Sequence, residues 1–189
     1  MAVGILGGAF DPPHVGHVSL AHTAIRALGL DELLVLVVAD PGHKDVATPA
    51  HHRLELARLA FADVPGAVVE LDDHARTVDS LEARDLEDPF FVLGADELAG
   101  FESWKAPERV LELARIAVAM RPGVDRAEVE AVRRRLAAGD RIVEFDMEQV
   151  DVSSSDVRER VSRGEPIDDL VPSGVAAAIA RLGLYRDAE

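Results

Sequence analysis

Six short apolar runs alternate with stretches of helical spacing along the whole chain, and that alternation limits the folds open to it. The runs fall at 2–6, Leu33 to Ala39, Ala67 to Leu71, Phe90 to Leu93, Ile116 to Met120 and Ile142 to Phe145. Leu33 to Ala39 is apolar without a polar alternate, the pattern of a strand covered on both faces. Between the runs, Val18, Ala21, Ile25 and Leu28 repeat at helical spacing until Gly29 stops them. Thr48-Pro49 reads as an N-cap followed by a proline in the first turn, opening a helix to about Asp63. Further helices are predicted at about Thr77 to Leu86, Pro107 to Ala114 and 125–138. Two more follow Ser153 and Ser173, the last ending near Gly183. Arg133, Arg134 and Arg135 read as a solvated helix face. Strand–helix alternation of this kind predicts one Rossmann-like α/β domain over 1–189, its mostly parallel sheet covered by helices on both faces.

Loops leaving the strands of such a sheet collect along one edge, where ligands bind. After the first run come Gly7-Gly8-Ala9-Phe10-Asp11-Pro12-Pro13-His14-Val15-Gly16-His17, and after the second Asp40-Pro41-Gly42-His43-Lys44. The third is followed by Asp72 to Thr77, the fourth by Gly94-Ala95-Asp96, and the last by Val152-Ser153-Ser154-Ser155-Asp156-Val157-Arg158. Polar and glycine-rich segments at five strand ends predict one composite site. Gly7 and Gly8 let backbone approach a bulky anion, and His14 and His17 straddle a helix start that favours negative charge. Both histidines can donate to phosphate oxygens and, when protonated, stabilise charge in a transition state. Lys44 is a flexible point charge suited to a polyphosphate. Ser154 and Ser155 add donors at a helix start, Arg158 adds a planar fork, and Asp96 can accept from ribose hydroxyls. His22, His51, His52 and His74 read as surface or structural residues. The glycine run is neither a Walker loop nor the dinucleotide fingerprint.

Gly-Gly-x-Phe-Asp-Pro-x-His-x-Gly-His resembles the signature of the HxGH nucleotidyltransferases, specifically of bacterial nicotinate mononucleotide adenylyltransferases. Ser153-Ser154-Ser155-Asp156-Val157-Arg158 is similar to that family's second signature, Ser-Ser-Thr-x-Ile-Arg, so 153–185 carries the second phosphate motif. Pro41-Gly42-His43-Lys44 resembles its Pro-Pro-His-Lys, Gly94-Ala95-Asp96 its Gly-x-Asp, and Ser103-Trp104 its following Trp. Leu170 to Tyr185 resembles its C-terminal ending. The resemblance implies adenylyl transfer from ATP to nicotinate mononucleotide, giving deamido-NAD and pyrophosphate. It implies that His14, His17, Lys44, Ser154, Ser155 and Arg158 hold the ATP phosphates beside Gly7, Gly8, Ala9 and Phe10, with Asp96 on the nucleotide. Lys44, Arg76, Thr77 and Trp104 then face the acceptor, Trp104 stacking on its pyridine ring. Magnesium is expected to ride on the ATP phosphates, with no metal ligand from the protein.

Two departures stand out. Ala9 replaces the usual Thr or Ser, and Arg76-Thr77-Val78-Asp79-Ser80-Leu81 stands where the family has Tyr-Thr-x-Asp-Thr-Leu. The stretch from Leu81 to Phe90 is also shorter. These leave nicotinamide mononucleotide and phosphopantetheine as rival acceptors, and a non-catalytic nucleotide-binding regulator as the rival of another class. The net charge of −15 argues against nucleic acid as a partner. No Cys is present, no apolar stretch reaches spanning length, and the N-terminus lacks the regions of a signal peptide, so a cytoplasmic protein without membrane contact is expected. A homo-oligomer is compatible with the sequence.

Overall fold

The computed structural model describes residues 1–42, 46 and 48–186. The apolar runs become six strands: β1 (Val3–Gly8), β2 (Glu32–Val38), β3 (Ala67–Asp72), β4 (Phe90–Gly94), β5 (Arg115–Met120) and β6 (Ile142–Asp146). They form one sheet in the order β3-β2-β1-β4-β5-β6, and every neighbouring pair is parallel. The chain builds outward from β1 to β3, then crosses to the far side of β1 to lay down β4. That reversal opens a crevice beyond the carboxyl ends of β1 and β4.

Alternate strand residues explain why both faces are covered. Leu33, Val35 and Val37 enter one apolar core, while Leu34 and Leu36 enter the other. The first core is closed by α1 (Val15–Leu28), α2 (Ala50–Ala60), α7 (Ser154–Ser162) and α8 (Ser173–Leu182), through residues such as Ala24, Leu56, Val157 and Ile179. The second is closed by α3 (Thr77–Glu82), α4 (Ala95–Ala99), α5 (Pro107–Leu113) and α6 (Arg126–Arg135), through Leu81, Leu98, Val110 and Val132. Each such Leu or Ile contributes about 1.5–3 kcal/mol by leaving water. Among the described residues no helix is long and apolar enough to cross a membrane.

Several boundaries differ from the predicted ones, each for a local reason. Gly7 and Gly8 belong to β1, in register with Leu36 and Val37, so the strand runs into the predicted loop. Pro49, not Thr48, is the N-cap of α2, and the buried Thr48 turns its carbonyl to Arg53 Nε at 3.0 Å. Pro172 likewise precedes α8, leaving Ser173 as its first residue. Gly94-Ala95-Asp96 opens α4 directly, with Glu97 reaching back to accept from the Gly94 N–H at 3.3 Å. Arg133 is not simply solvated: it bonds Glu130, Glu144 and the Ile142 carbonyl. Gly29 ends α1 with φ 62°, a left-handed cap that suits glycine.

Candidate active site

The segment from Gly7 to His17 leaves β1 at the crevice and enters α1. Phe10 turns inward at φ 50°, and its ring is buried beside Phe61. A Cβ on Gly8 would lie 3.1 Å from that ring. Gly8 therefore keeps room for Phe10, and Phe10 meets any ligand through its backbone rather than its side chain. Gly16 has a similar role, since a Cβ there would lie 3.0 Å from Nδ1 of His14 and 3.2 Å from Val152. The middle glycine of His-x-Gly-His thus lets the His14 ring and the loop before α7 close over the start of α1.

His14 and His17 stack, with ring centroids 3.7 Å apart. Nδ1 of His17 accepts from the His14 backbone N–H at 3.2 Å, which leaves the Nε2 proton of the neutral His17 ring as its donor. Burial pushes the His14 pKa down to about 4, against a weaker opposing effect of Asp156. Nδ1 of His14 is buried without a hydrogen-bond partner among the described residues. Before an anion arrives, His14 is neutral at pH 7, and a second charge beside it is disfavoured. Not all of the helix start is open, because the Val15 N–H donates to the Leu170 carbonyl at 2.9 Å.

Four side chains clamp this segment from other elements. Ser154 Oγ donates to the Pro12 carbonyl at 2.8 Å, and Arg158 Nη1 donates to the Asp11 carbonyl at 2.6 Å. Ser155 Oγ accepts from Arg158 at 3.2 Å. The Tyr185 hydroxyl donates to the buried Asp11 carboxylate at 2.6 Å, and burial is the main reason its pKa is raised. The fourth is Arg53 of α2, 1% exposed, which forms no ion pair with a carboxylate of the described residues. It donates to the carbonyls of Thr48 at 3.0 Å and of Ala9, Val38 and Ala39 at 2.8 Å each. One buried guanidinium thereby ties the loops after β1 and β2 together. Burial lowers its pKa, while Asp11, Tyr185 and Asp40 oppose that shift. Lys44 and His43 lie outside the described residues.

Beside the clamped segment opens a cavity of about 790 Å³. Gly7, Gly8 and Ala9 line it, as do Arg76, Thr77, Asp96 and Trp104. Trp104 is half-buried, packed edge-on against Phe91 at 5.9 Å and tilted against Phe101 at 5.0 Å. Asp96 is largely exposed and accepts from Arg121 at 2.7 Å. The predicted residues thus fall into two adjoining groups. Gly7 to Ala9 belong to the cavity wall, whereas His14, His17, Ser154, Ser155 and Arg158 gather along the other half of the loop.

Sequence comparison agrees with this architecture. Residues 5–160 match the Cytidylyltransferase-like family. The chain is 39% identical to a "Probable nicotinate-nucleotide adenylyltransferase" of Roseiflexus castenholzii, over 97% of both chains. It is 37% identical to the protein of that name in Bordetella avium, over 98% of both. The chain belongs to the nicotinate-nucleotide adenylyltransferase family. In fold it is similar to Plasmodium falciparum nicotinic acid mononucleotide adenylyltransferase complexed with NaAD, with a TM-score of 0.75, 18% identity and 97% of both chains covered.

Within this family's frame, Arg53, Tyr185 and His74 are the residues that reading the sequence missed. Arg53 had a signal: with Leu56, Ala57 and Ala60 it completes the buried stripe of α2, so a charge stood on an apolar face. His74 was read as surface or structural, yet it lines the cavity. Tyr185 offered only its place in the C-terminal ending.

Proposed function

We propose that the chain transfers the adenylyl group of ATP to nicotinate mononucleotide, releasing pyrophosphate and forming deamido-NAD in NAD biosynthesis. The observation that carries this is one cavity at the β1/β4 reversal with two kinds of wall. Strand-end glycine backbone lies on one side, and the half-buried Trp104 with the exposed Arg76 lies on the other. A phosphate-rich donor suits the first wall, and a flat cationic ring carrying a carboxylate suits the second.

The acceptor's 5′-phosphate oxygen attacks the α-phosphorus of ATP, and the bond to the β,γ-pyrophosphate breaks. Positioning and charge stabilisation carry such a transfer, with no covalent enzyme intermediate. His17 offers Nε2–H to phosphate oxygen, while the tight environment of His14 gives the bound anion a reason to bring a proton onto that ring. Arg158, Ser154, Ser155 and Lys44 complete the polyphosphate contacts, and Asp96 meets the ribose. Phe10 contributes backbone only. Thr77, Arg76 and Trp104 face the acceptor. Among the described residues, no group of three or more His, Asp or Glu side chains is arranged to hold a metal ion. Magnesium is assigned to the ATP phosphates as part of the substrate.

The test is pyrophosphate release from ATP and magnesium with nicotinate mononucleotide, nicotinamide mononucleotide and phosphopantetheine offered separately. The expected order puts nicotinate mononucleotide first by kcat/KM. Release with phosphopantetheine alone would overturn the acceptor, and no release with any of them would favour a nucleotide-binding regulator.

A further inference from the structure

The loop between β3 and α3 carries a built polar cluster that phosphate chemistry does not use. Asp72, at the end of β3, is 4% exposed, and both of its carboxylate oxygens are committed. Oδ2 accepts from Ser80 Oγ at 2.5 Å. Oδ1 accepts from the His74 backbone N–H at 3.2 Å and faces His74 Nδ1 at 2.9 Å, with Arg84 Nη1 at 3.5 Å. Although burial opposes it, this set of donors holds the Asp72 carboxyl below its ordinary pKa, so it is a carboxylate at neutral pH. A carboxylate on Nδ1 fixes the ring: Nδ1 keeps its proton, and Nε2 is the nitrogen left for a ligand. The His74 side chain is 40% exposed, and the residue lines the same cavity as Trp104.

We propose that His74, aligned by Asp72, binds the carboxylate of the acceptor and sets the preference for nicotinate over nicotinamide mononucleotide. His74's role depends on nicotinate mononucleotide being the acceptor. With an anion at each nitrogen the imidazole needs both of its protons, and it then donates a charge-assisted bond to the ligand. A neutral amide in the same place is a weaker acceptor for that bond. Of the charges around this wall, Arg84 is occupied by Asp72 and Ser80, and Lys105 by Asp79. Asp96 is paired with Arg121 across the cavity. Arg76, two residues on, lines the cavity with no hydrogen bond or ion pair to the described residues, and its charge reinforces the same preference. Asp73 and Glu97 act against it.

The experiment labels the imidazole nitrogens with ¹⁵N and assigns His74 by loss of its signal in His74→Gln. Trp104 fluorescence reports whether an acceptor has bound. Nicotinate mononucleotide is expected to shift the His74 Nε2 signal, as a new hydrogen bond to a carboxylate does, and nicotinamide mononucleotide to leave it in place. His74→Gln should raise KM for nicotinate mononucleotide about tenfold and leave KM for the nicotinamide form unchanged, as for loss of one charge-assisted bond. Asp72→Asn should move the ratio in the same direction. Nicotinate mononucleotide that binds without moving the His74 signals, or a His74→Gln loss equal for both acceptors, would overturn the proposal. Failure of the wild-type protein to bind or turn over nicotinate mononucleotide would instead overturn the acceptor assignment.

Discussion

Replacing Arg53 by Met tests whether one buried guanidinium organises the phosphate loops. Met keeps much of the aliphatic volume on α2 and removes every donor. The carbonyls of Thr48, Ala9, Val38 and Ala39 then lose the bonds that Arg53 gives them at 2.8–3.0 Å. A buried acceptor left unpaired costs about 1–3 kcal/mol, so four of them set an upper bound of about 12 kcal/mol, comparable with the whole stability of a domain. Water entry and the relieved desolvation of the cation offset much of that, leaving a loss of about 3 kcal/mol. For a domain of this length Tm should fall by roughly 6–12 °C. Urea unfolding at pH 7 gives the stability, and ATP-dependent turnover below the new midpoint gives the function. Because Ala9 and Val38 anchor the loops on either side of the crevice, kcat should fall about 100-fold in protein that is still folded. Arg53→Lys should recover part of the stability and less of the rate, since an ammonium cannot reach all four carbonyls in one plane. Wild-type stability and turnover in Arg53→Met would refute the reasoning.

Three further outcomes are expected. His17→Ala should leave the fold intact and lower kcat by roughly two to three powers of ten, read by pyrophosphate release. Arg158→Ala and Lys44→Ala should each weaken ATP more than AMP in calorimetric binding, because the charges they meet lie beyond the α-phosphate. His14 should impose a pH dependence on stability. Its folded pKa of about 4 lies below the ordinary 6.5, so between those values the unfolded chain binds a proton that the folded chain does not. Stability is then lost as pH falls from 6.5 through 4, by about 3 kcal/mol in all, and is unaffected above 6.5. His14→Gln should flatten that part of the urea-midpoint profile.

What was legible in the sequence was whatever depends on neighbours along the chain. Apolar runs gave the strands, Gly29 and Gly183 gave left-handed helix ends, and Ser153 caps α7 reciprocally with Asp156 as its spacing predicts. The strand-end loops that carry the candidate site were legible for the same reason, because a parallel sheet must deliver them to one edge. Thr48 and Pro49 show where local rules yield. A good cap residue is passed over: the buried Thr48 turns its carbonyl to Arg53, and proline takes the cap position. Gly8 was read as an opening for an anion, yet it also makes space for the Phe10 ring, and Gly16 makes space for the ring of His14. Such contacts have no signature in spacing.

Charge poses the remaining question, since a chain of net charge −15 must attract triphosphate and a mononucleotide. Its surface cations answer little, because they are mostly neutralised in pairs. Arg109 meets Glu82 and Glu112, Arg126 meets Glu144 and Asp146, Arg135 meets Glu102, and Arg160 meets Asp169. Exposed pairs of this kind contribute little to stability, but they cancel the field that a free arginine would project. Around the crevice the pattern reverses. Arg53 and Arg158 bond backbone carbonyls and a hydroxyl, and Arg76 bonds none of the described residues, so none of the three forms an ion pair with a carboxylate of the described residues. Arg26, Arg58, Arg134 and Arg186 also form no ion pair with the described residues, but they are exposed, and solvent and salt screen them. Attraction at the site therefore comes from a few cations not spent in ion pairs with the described residues, one of them buried, beside a His14 that burial keeps neutral at pH 7. A site built this way favours a compact polyanion that fits inside it.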